Sequence, residues 1–207
     1  MDTKYCTIYL ARHGETEGNV KRLAQGHSSS PLTDKGKMQA KALGENLFDV
    51  QFDAIFSSDL ERARHTAEIA ALDRKIAVKT SQLLREKFFG TFEDGPMIHY
   101  VEALRKIINE EADAASLMAA KLGTGDESEG EVATRVIRFL REVAVAYAGK
   151  TILVVSHGAA IRILLAHLGF GTRKELLGSI VNTGYVKLES DGIDFFVKET
   201  FGVMKKL

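Results

Sequence analysis

The chain has a single cysteine, no surplus of either charge, and no apolar run approaching the ~20 residues that a membrane helix requires. One cysteine excludes an internal disulfide and leaves nothing for a cysteine-rich zinc site. Cys6 sits in Cys6-Thr7-Ile8-Tyr9-Leu10-Ala11, where it reads as a buried strand residue rather than a reactive thiol. With 28 basic and 28 acidic residues the net charge is zero. That argues against nucleic acid or an anionic membrane as a partner, while leaving a compact basic pocket open. Met1-Asp2-Thr3-Lys4-Tyr5 lacks a signal-peptide pattern and runs straight into strand-like sequence. The expectation is a soluble cytoplasmic protein. No repeat, low-complexity tract or linker interrupts the chain, so residues 1–207 read as one domain.

Strands and helices alternate, which favours a layered α/β fold. Cys6 to Ala11 is a short apolar strand ending at Arg12-His13-Gly14. Pro31-Leu32-Thr33-Asp34 marks a helix start with Thr33 as N-cap, and Met38, Leu43 and Leu47 mark the buried face of that helix. Ala54-Ile55-Phe56 centres a second strand over 53–58, after which Asp59 is expected to cap a helix; Ile76-Ala77-Val78 reads as a third strand. A loop over 81–95 precedes a long helical stretch from Met97 to Leu122. Gly123 to Gly130 is acidic and reads as exposed and mobile. Val132, Val136, Phe139, Leu140, Val143 and Tyr147 then share one face of an amphipathic helix. Thr151-Ile152-Leu153-Val154-Val155 is apolar without alternation, as in a central strand covered on both sides, and it stops at Ser156-His157-Gly158. Tyr185 to Thr200 reads as a hairpin turned at Asp191-Gly192.

Polar residues fall in a pattern. Arg12-His13-Gly14, Ser57-Ser58-Asp59 and Ser156-His157-Gly158 each follow the end of an expected parallel strand. Open α/β sheets bind ligands beyond the carboxyl ends of their strands, so these three segments can meet at one sheet edge. Arg12, His13, His157 and Arg62, the last one turn into the helix after Asp59, would bring two guanidiniums and two imidazoles together. Such a set suits a tetrahedral dianion, because arginine contacts phosphate bidentately and helix N-termini add N–H donors.

Arg12-His13-Gly14-Glu15-Thr16 with Asn19, Gln25-Gly26 and Pro31-Leu32-Thr33 resembles the opening of the histidine phosphatase (phosphoglycerate mutase-like) superfamily. Ser57-Ser58-Asp59-Leu60-Glu61-Arg62 through Ala67, Leu84-Arg85-Glu86 through Glu93, Glu127-Ser128 through Arg135, and Ser156-His157-Gly158 resemble later blocks of the family, in family order over about residues 5 to 190. The resemblance implies a three-layer α/β/α sandwich with a mostly parallel central sheet and a C-terminal antiparallel hairpin. It implies a phosphohistidine mechanism with His13 as nucleophile, a role open to histidine when one ring nitrogen is unprotonated and the other is held by a hydrogen bond. Arg12, Arg62 and His157 would bind the transferred phosphoryl oxygens, with His157 protonated when phosphate is bound. Glu86 would protonate the leaving alcohol and then activate water, its pKa raised by burial; Glu93 and Asp94 in the same loop compete for that role. Asn19, Gln25, Gly26 and Gly158 would line the pocket, and neither a metal nor a cofactor is required.

The remaining histidines, His27, His65, His99 and His167, read as surface or packing residues. Ser57 and Ser156 lack a triad pattern. Family mutases tend to be longer, with an arginine-bearing insertion after the acid loop and an asparagine after the second His-Gly. Here Ala159 follows Gly158, and only Arg105 and Lys106 follow Gly95 closely, which favours hydrolysis over a mutase reaction. Gly18 and Asp94 depart from common family residues and leave the pocket wall, hence the leaving group, open among phosphorylated sugars, sugar acids and other small phosphomonoesters. A phosphoglycerate mutase and a non-catalytic phospho-ligand module are the alternatives.

Overall fold

The computed structural model describes residues 4–109, 114–176, 178 and 180–205. Strand β1 (Cys6–Arg12) leads to the one-turn helix α1 (Glu17–Val20) and to α2 (Asp34–Asn46). Then come β2 (Ala54–Ser58), α3 (Glu61–Ala70), β3 (Val78–Ser81), α4 (Met97–Asn109) and α5 (Ala114–Ala119). The chain continues through α6 (Glu129–Ala146), β4 (Thr151–Ser156), α7 (Gly158–His167), α8 (Arg173–Leu176), β5 (Ile180–Ser190) and β6 (Phe195–Val203). The sheet order is β3-β2-β4-β1-β5-β6, parallel from β3 through β1 and antiparallel at β5 and β6.

Alternation along β1 and β4 builds the three layers. Ile8, Leu10, Ile152 and Val154 pack with Val136 and Leu140 of α6 and Ile161 of α7 on one face. Tyr9, Ala11, Leu153 and Val155 pack with Leu43 of α2 and Ala63 and Ala67 of α3 on the other. Side chains of period two on strands covered on both sides require this division. A third, smaller apolar cluster of Ala24, Phe89, Tyr100 and Leu104 joins α4 to the loop before it. Among the described residues no helix is long and apolar enough to cross a membrane.

Several local expectations hold. Thr33 caps α2, its side chain accepting from Gly36 N–H, and Cys6 is fully buried in β1. Others are corrected. Met38 is exposed, because the buried stripe of α2 runs Gly36, Ala40, Leu43, Leu47 and Met38 lies between its turns. Strand β3 starts only at Val78, since its parallel pairing with β2 begins at Ile55 and Val78. Asp59 does not cap α3; its carboxylate takes two bonds from Arg85, at 2.7 and 2.6 Å, and Ser58 Oγ receives Leu60 N–H instead. The stretch from Met97 to Leu122 holds two helices, α4 and α5, rather than one; residues 110–113 lie outside those described. The acidic segment 123–130 is not an exposed loop. Asp126 and Glu129 are buried, paired with Lys87 and with Arg162 and Arg173.

Candidate active site

The parallel register of β1 and β4 sets Arg12 opposite Ser156, so the next residue of each strand, His13 and His157, leaves the sheet edge side by side. Their ring centroids are 5.2 Å apart. His13 N–H donates to Ser156 O at 3.0 Å, and Asn182 Nδ2 donates to His13 O at 3.1 Å. Thr183 N–H also reaches His13 O, from a left-handed backbone conformation (φ 59°) that a β-branched residue rarely adopts. The His13 main chain is thus held from both neighbouring strands.

The ring of His13 is fixed as well. Nδ1 lies 2.7 Å from Gly14 O, and a carbonyl only accepts, so Nδ1 carries the proton and Nε2 keeps its lone pair. Gly14 is needed at this turn: a Cβ there would run into the Gly36 carbonyl at the start of α2. Gly14 N–H donates to Thr66 Oγ1 at 3.0 Å, and Thr66 Oγ1 donates to Arg62 O at 2.7 Å, tying the histidine turn to α3.

Arg62 is 1% exposed. It donates to the carbonyls of Gln25, Gly26 and Ser28 at 3.0, 2.7 and 2.9 Å, while its Nε has no partner. Arg12 donates through Nη1 to Ile180 O at 2.6 Å, and its Nε is likewise buried without a partner. His157, fully buried at the N-terminus of α7, has no partner at either ring nitrogen. Native proteins rarely leave buried polar atoms unpaired. Here the orphans are neighbours of one another, His157 packing on the His13 ring and Arg12 and Arg62 acting on both histidines.

Glu86 lines a cavity that Arg12 and His13 also border. Its Oε1 accepts from Lys87 and Ala160 N–H, both at 2.9 Å, and its Oε2 accepts from Ala159 N–H at 3.0 Å, so the carboxyl is anchored at the start of α7. Arg135 supports the loop from behind, donating to the carbonyls of Leu83, Arg85 and Glu86 and pairing with Glu127. Glu93 has both oxygens engaged, Oε1 with Phe89 N–H and Oε2 with His27 and Ser28 N–H. Of the three acidic candidates in this loop Glu86 lines the cavity, whereas Glu93 and Asp94 do not; Arg62 and His157 also lie behind its lining.

Asn19, Gln25 and Gly158 line the cavity, as expected of them. Asn19 Oδ1 accepts from Asn182 and Gln25 Oε1 from Thr16 Oγ1. Gly26 does not line it; its carbonyl positions Arg62. Asn182 and Arg162 escaped sequence reasoning, and Thr66 and Arg135, though inside family-like blocks, have no role assigned there. Asn182, Thr66 and Arg135 act on backbone groups distant in sequence, for which no local pattern exists. His27 packs on Phe88 and bonds Glu86 O, a packing role as anticipated.

Burial pushes His13 and His157 well below their ordinary pKa, and the cationic neighbours Arg62 and Arg12 push the same way. Unfolded, each histidine takes a proton below about pH 6.5; folded and empty, it does not. The unfolded state therefore binds more protons as pH falls, and stability is lost toward acid by up to about 1.4 kcal/mol per pH unit for each histidine. Thermal unfolding without phosphate is expected to show Tm falling between about pH 6.5 and pH 5.5, less steeply in His157→Asn. A Tm that is flat over that window would contradict the neutral pair.

A family model described as the histidine phosphatase superfamily (branch 1) matches residues 8–200. The chain is 36% identical over 165 residues, 78% of each chain, to the adenosylcobalamin/alpha-ribazole phosphatase of Escherichia coli K12. Among solved structures it resembles Bacillus stearothermophilus YhfR, with TM-score 0.79 and 31% identity over 93% of this chain and 95% of that one. It also resembles a phosphoglycerate mutase from Bacillus anthracis Sterne, with TM-score 0.84 and 28% identity over 98% and 95% of the two chains.

Proposed function

The chain belongs to the histidine phosphatase superfamily, branch 1, and from that premise we propose that it hydrolyses small phosphorylated metabolites in two displacements through His13. The observation that carries the reading is the set of buried donors without partners beside His13: Arg12 Nε, Arg62 Nε and both ring nitrogens of His157. They are what a tetrahedral dianion would satisfy, and the neutral His13 Nε2 is the lone pair beside them.

In the first step Nε2 of His13 forms a bond to phosphorus as the bond to the alcohol oxygen breaks, while Arg12, Arg62 and His157 take the charge on the equatorial oxygens. On binding, the phosphate dianion draws a proton from solvent onto His157, which keeps it through both steps. Glu86 gives its proton to the departing alkoxide. Its Oε2 suits this, since Oε2 accepts one backbone bond where Oε1 accepts two, leaving a lone pair free for the proton. In the second step the Glu86 carboxylate takes a proton from water, the oxygen attacks the phosphohistidine, and inorganic phosphate leaves with His13 restored. Asn182 and Thr66 keep the nucleophile in place, and Arg135 the acid. Neither nucleic acid nor membrane is a partner in this reading; residues 1–207 act as one cytoplasmic domain on a diffusible substrate, in keeping with the zero net charge.

A mutase must hold a second phosphoryl group while its intermediate turns over. Of Arg105 and Lys106, only Arg105 borders the cavity. With 3-phosphoglycerate and a bisphosphoglycerate primer, release of inorganic phosphate is expected to exceed formation of 2-phosphoglycerate. Mutase turnover well above hydrolysis would overturn the hydrolytic assignment, and a panel of metabolite phosphates run alongside ranks the alcohols.

A further inference from the structure

Arg12, His13 and Glu86 line a cavity of about 800 Å³, large enough for a drug-sized ligand. Beyond them its wall is largely apolar, built from Leu23, Phe89, Met97, Val101 and Ile180 with the ring of Tyr100. One buried charged side chain interrupts that wall. Arg162 lines the cavity although it is only 5% exposed.

Arg162 Nη2 donates to Glu129 Oε1 at 3.1 Å, and its Nη1 is buried with no partner among the described residues. Glu129, itself buried, is shared: Arg173 Nε lies 2.6 Å from its Oε2. Two guanidiniums on one carboxylate leave the trio with one positive charge unmatched. The neighbouring charges do not correct this. Lys87 is already matched by Asp126 at 3.4 Å, and the one other carboxyl that acts on Arg162, Glu86, also faces Arg12 and Arg62. An unmatched buried charge with an unused donor is costly to a fold, and a ligand anion in the cavity would complete it.

The position along α7 gives the spacing. Arg162 follows Gly158 by four residues and so lies on the same helix face, one turn of about 5.4 Å farther on. Gly158 stands against Arg12, its Cβ site 3.2 Å from Arg12 Nε at the phosphate end. One turn of α7 thus separates the residue beside Arg12 from Arg162.

We propose that Arg162 is a specificity-determining residue that takes a carboxylate on the leaving group, so the preferred substrates are apolar or aromatic phosphomonoesters carrying an acidic group away from the phosphate. The proposal rests on the phosphatase reading and narrows its substrate class. The exposed cations Lys21, Arg22 and Arg105 border the same cavity and would draw acidic substrates toward it.

The test compares kcat/KM for phenyl phosphate with that for 3- and 4-carboxyphenyl phosphate. In the wild-type chain the better carboxylated isomer is expected to exceed phenyl phosphate at least about tenfold, a charge-assisted hydrogen bond's effect. Arg162→Met is expected to bring the ratio to about one, and Val101→Asp, which sets a like charge in the same wall, to carry it below one. Each ratio is taken within one preparation, so any unfolded fraction cancels. Should Arg162→Met fail to fold, Val101→Asp decides. Equal wild-type values, or a ratio undiminished by the substitutions, overturn the role of Arg162 and leave the phosphatase reading standing. No turnover of any of these esters by the wild-type chain overturns the phosphatase reading and this proposal with it.

Discussion

Replacing His13 with alanine is expected to lower hydrolysis of p-nitrophenyl phosphate at mildly acidic pH by at least about 10⁴-fold. Phosphate-monoester hydrolysis is among the slowest uncatalysed reactions, and the proposed mechanism answers it with a nucleophile rather than with charge alone. Arg12, Arg62 and His157 would remain in the variant and would still gather phosphate. None of them offers the fixed lone pair that the Nδ1 bond to Gly14 O secures on His13 Nε2. The ring contributes nothing to the sheet core, and His13 is held by main-chain bonds to Ser156, Asn182 and Thr183 that alanine keeps. Loss of rate without loss of fold, checked by circular dichroism, is therefore the expected combination. Retention of more than about one part in a hundred of the wild-type rate would refute the assignment, because nucleophile removal in comparable hydrolases costs far more.

Glu86→Gln is expected to slow turnover of an alkyl phosphate by about 10²- to 10⁴-fold, the usual range for a general acid, and to slow p-nitrophenyl phosphate much less. An alkoxide needs its proton as it departs; p-nitrophenolate leaves without one. The contrast between the two esters is the diagnostic, since a merely distorted pocket would slow both alike. Inhibition by inorganic phosphate should change little. The substitution has a structural side: the carboxyl accepts three backbone N–H bonds, and an amide group must turn its own NH₂ toward at least one of those donors. Leaving one buried N–H unpaired costs about 1–3 kcal/mol, measurable as a lower Tm and small beside the total stability of a domain. An unchanged rate on both esters would return the acid role to Glu93 or Asp94.

Arg12, His13, Arg62 and His157 were legible as a candidate site because each sits at the end of a strand or one turn into a helix, where local sequence fixes direction. The apolar runs before Arg12-His13-Gly14 and Ser156-His157-Gly158 announced buried parallel strands, and pairing in register brought the two triplets together. Reading failed where a partner lies far along the chain. Asp59 has the local pattern of a cap, yet Arg85, 26 residues on, offers two charge-assisted bonds against one N–H. The segment 123–130 has the composition of an exposed loop, but Lys87, Arg135, Arg162 and Arg173 converge on its carboxylates and draw Asp126 and Glu129 inside. Arg162 itself falls on an otherwise apolar helix, where the sequence gives no hint that it borders the cavity. Met38 failed for a simpler reason of helical phase.

The most direct measurement is acid-sensitive trapping of the phosphorylated protein. The chain is mixed with a phosphomonoester, quenched in alkali within milliseconds and digested for mass spectrometry. One phosphoryl group is expected on Nε2 of His13, appearing before steady state, lost on acid treatment and absent from His13→Ala. A phosphoryl group on any other residue, or full turnover with His13 unmodified at every quench time, would contradict the mechanism.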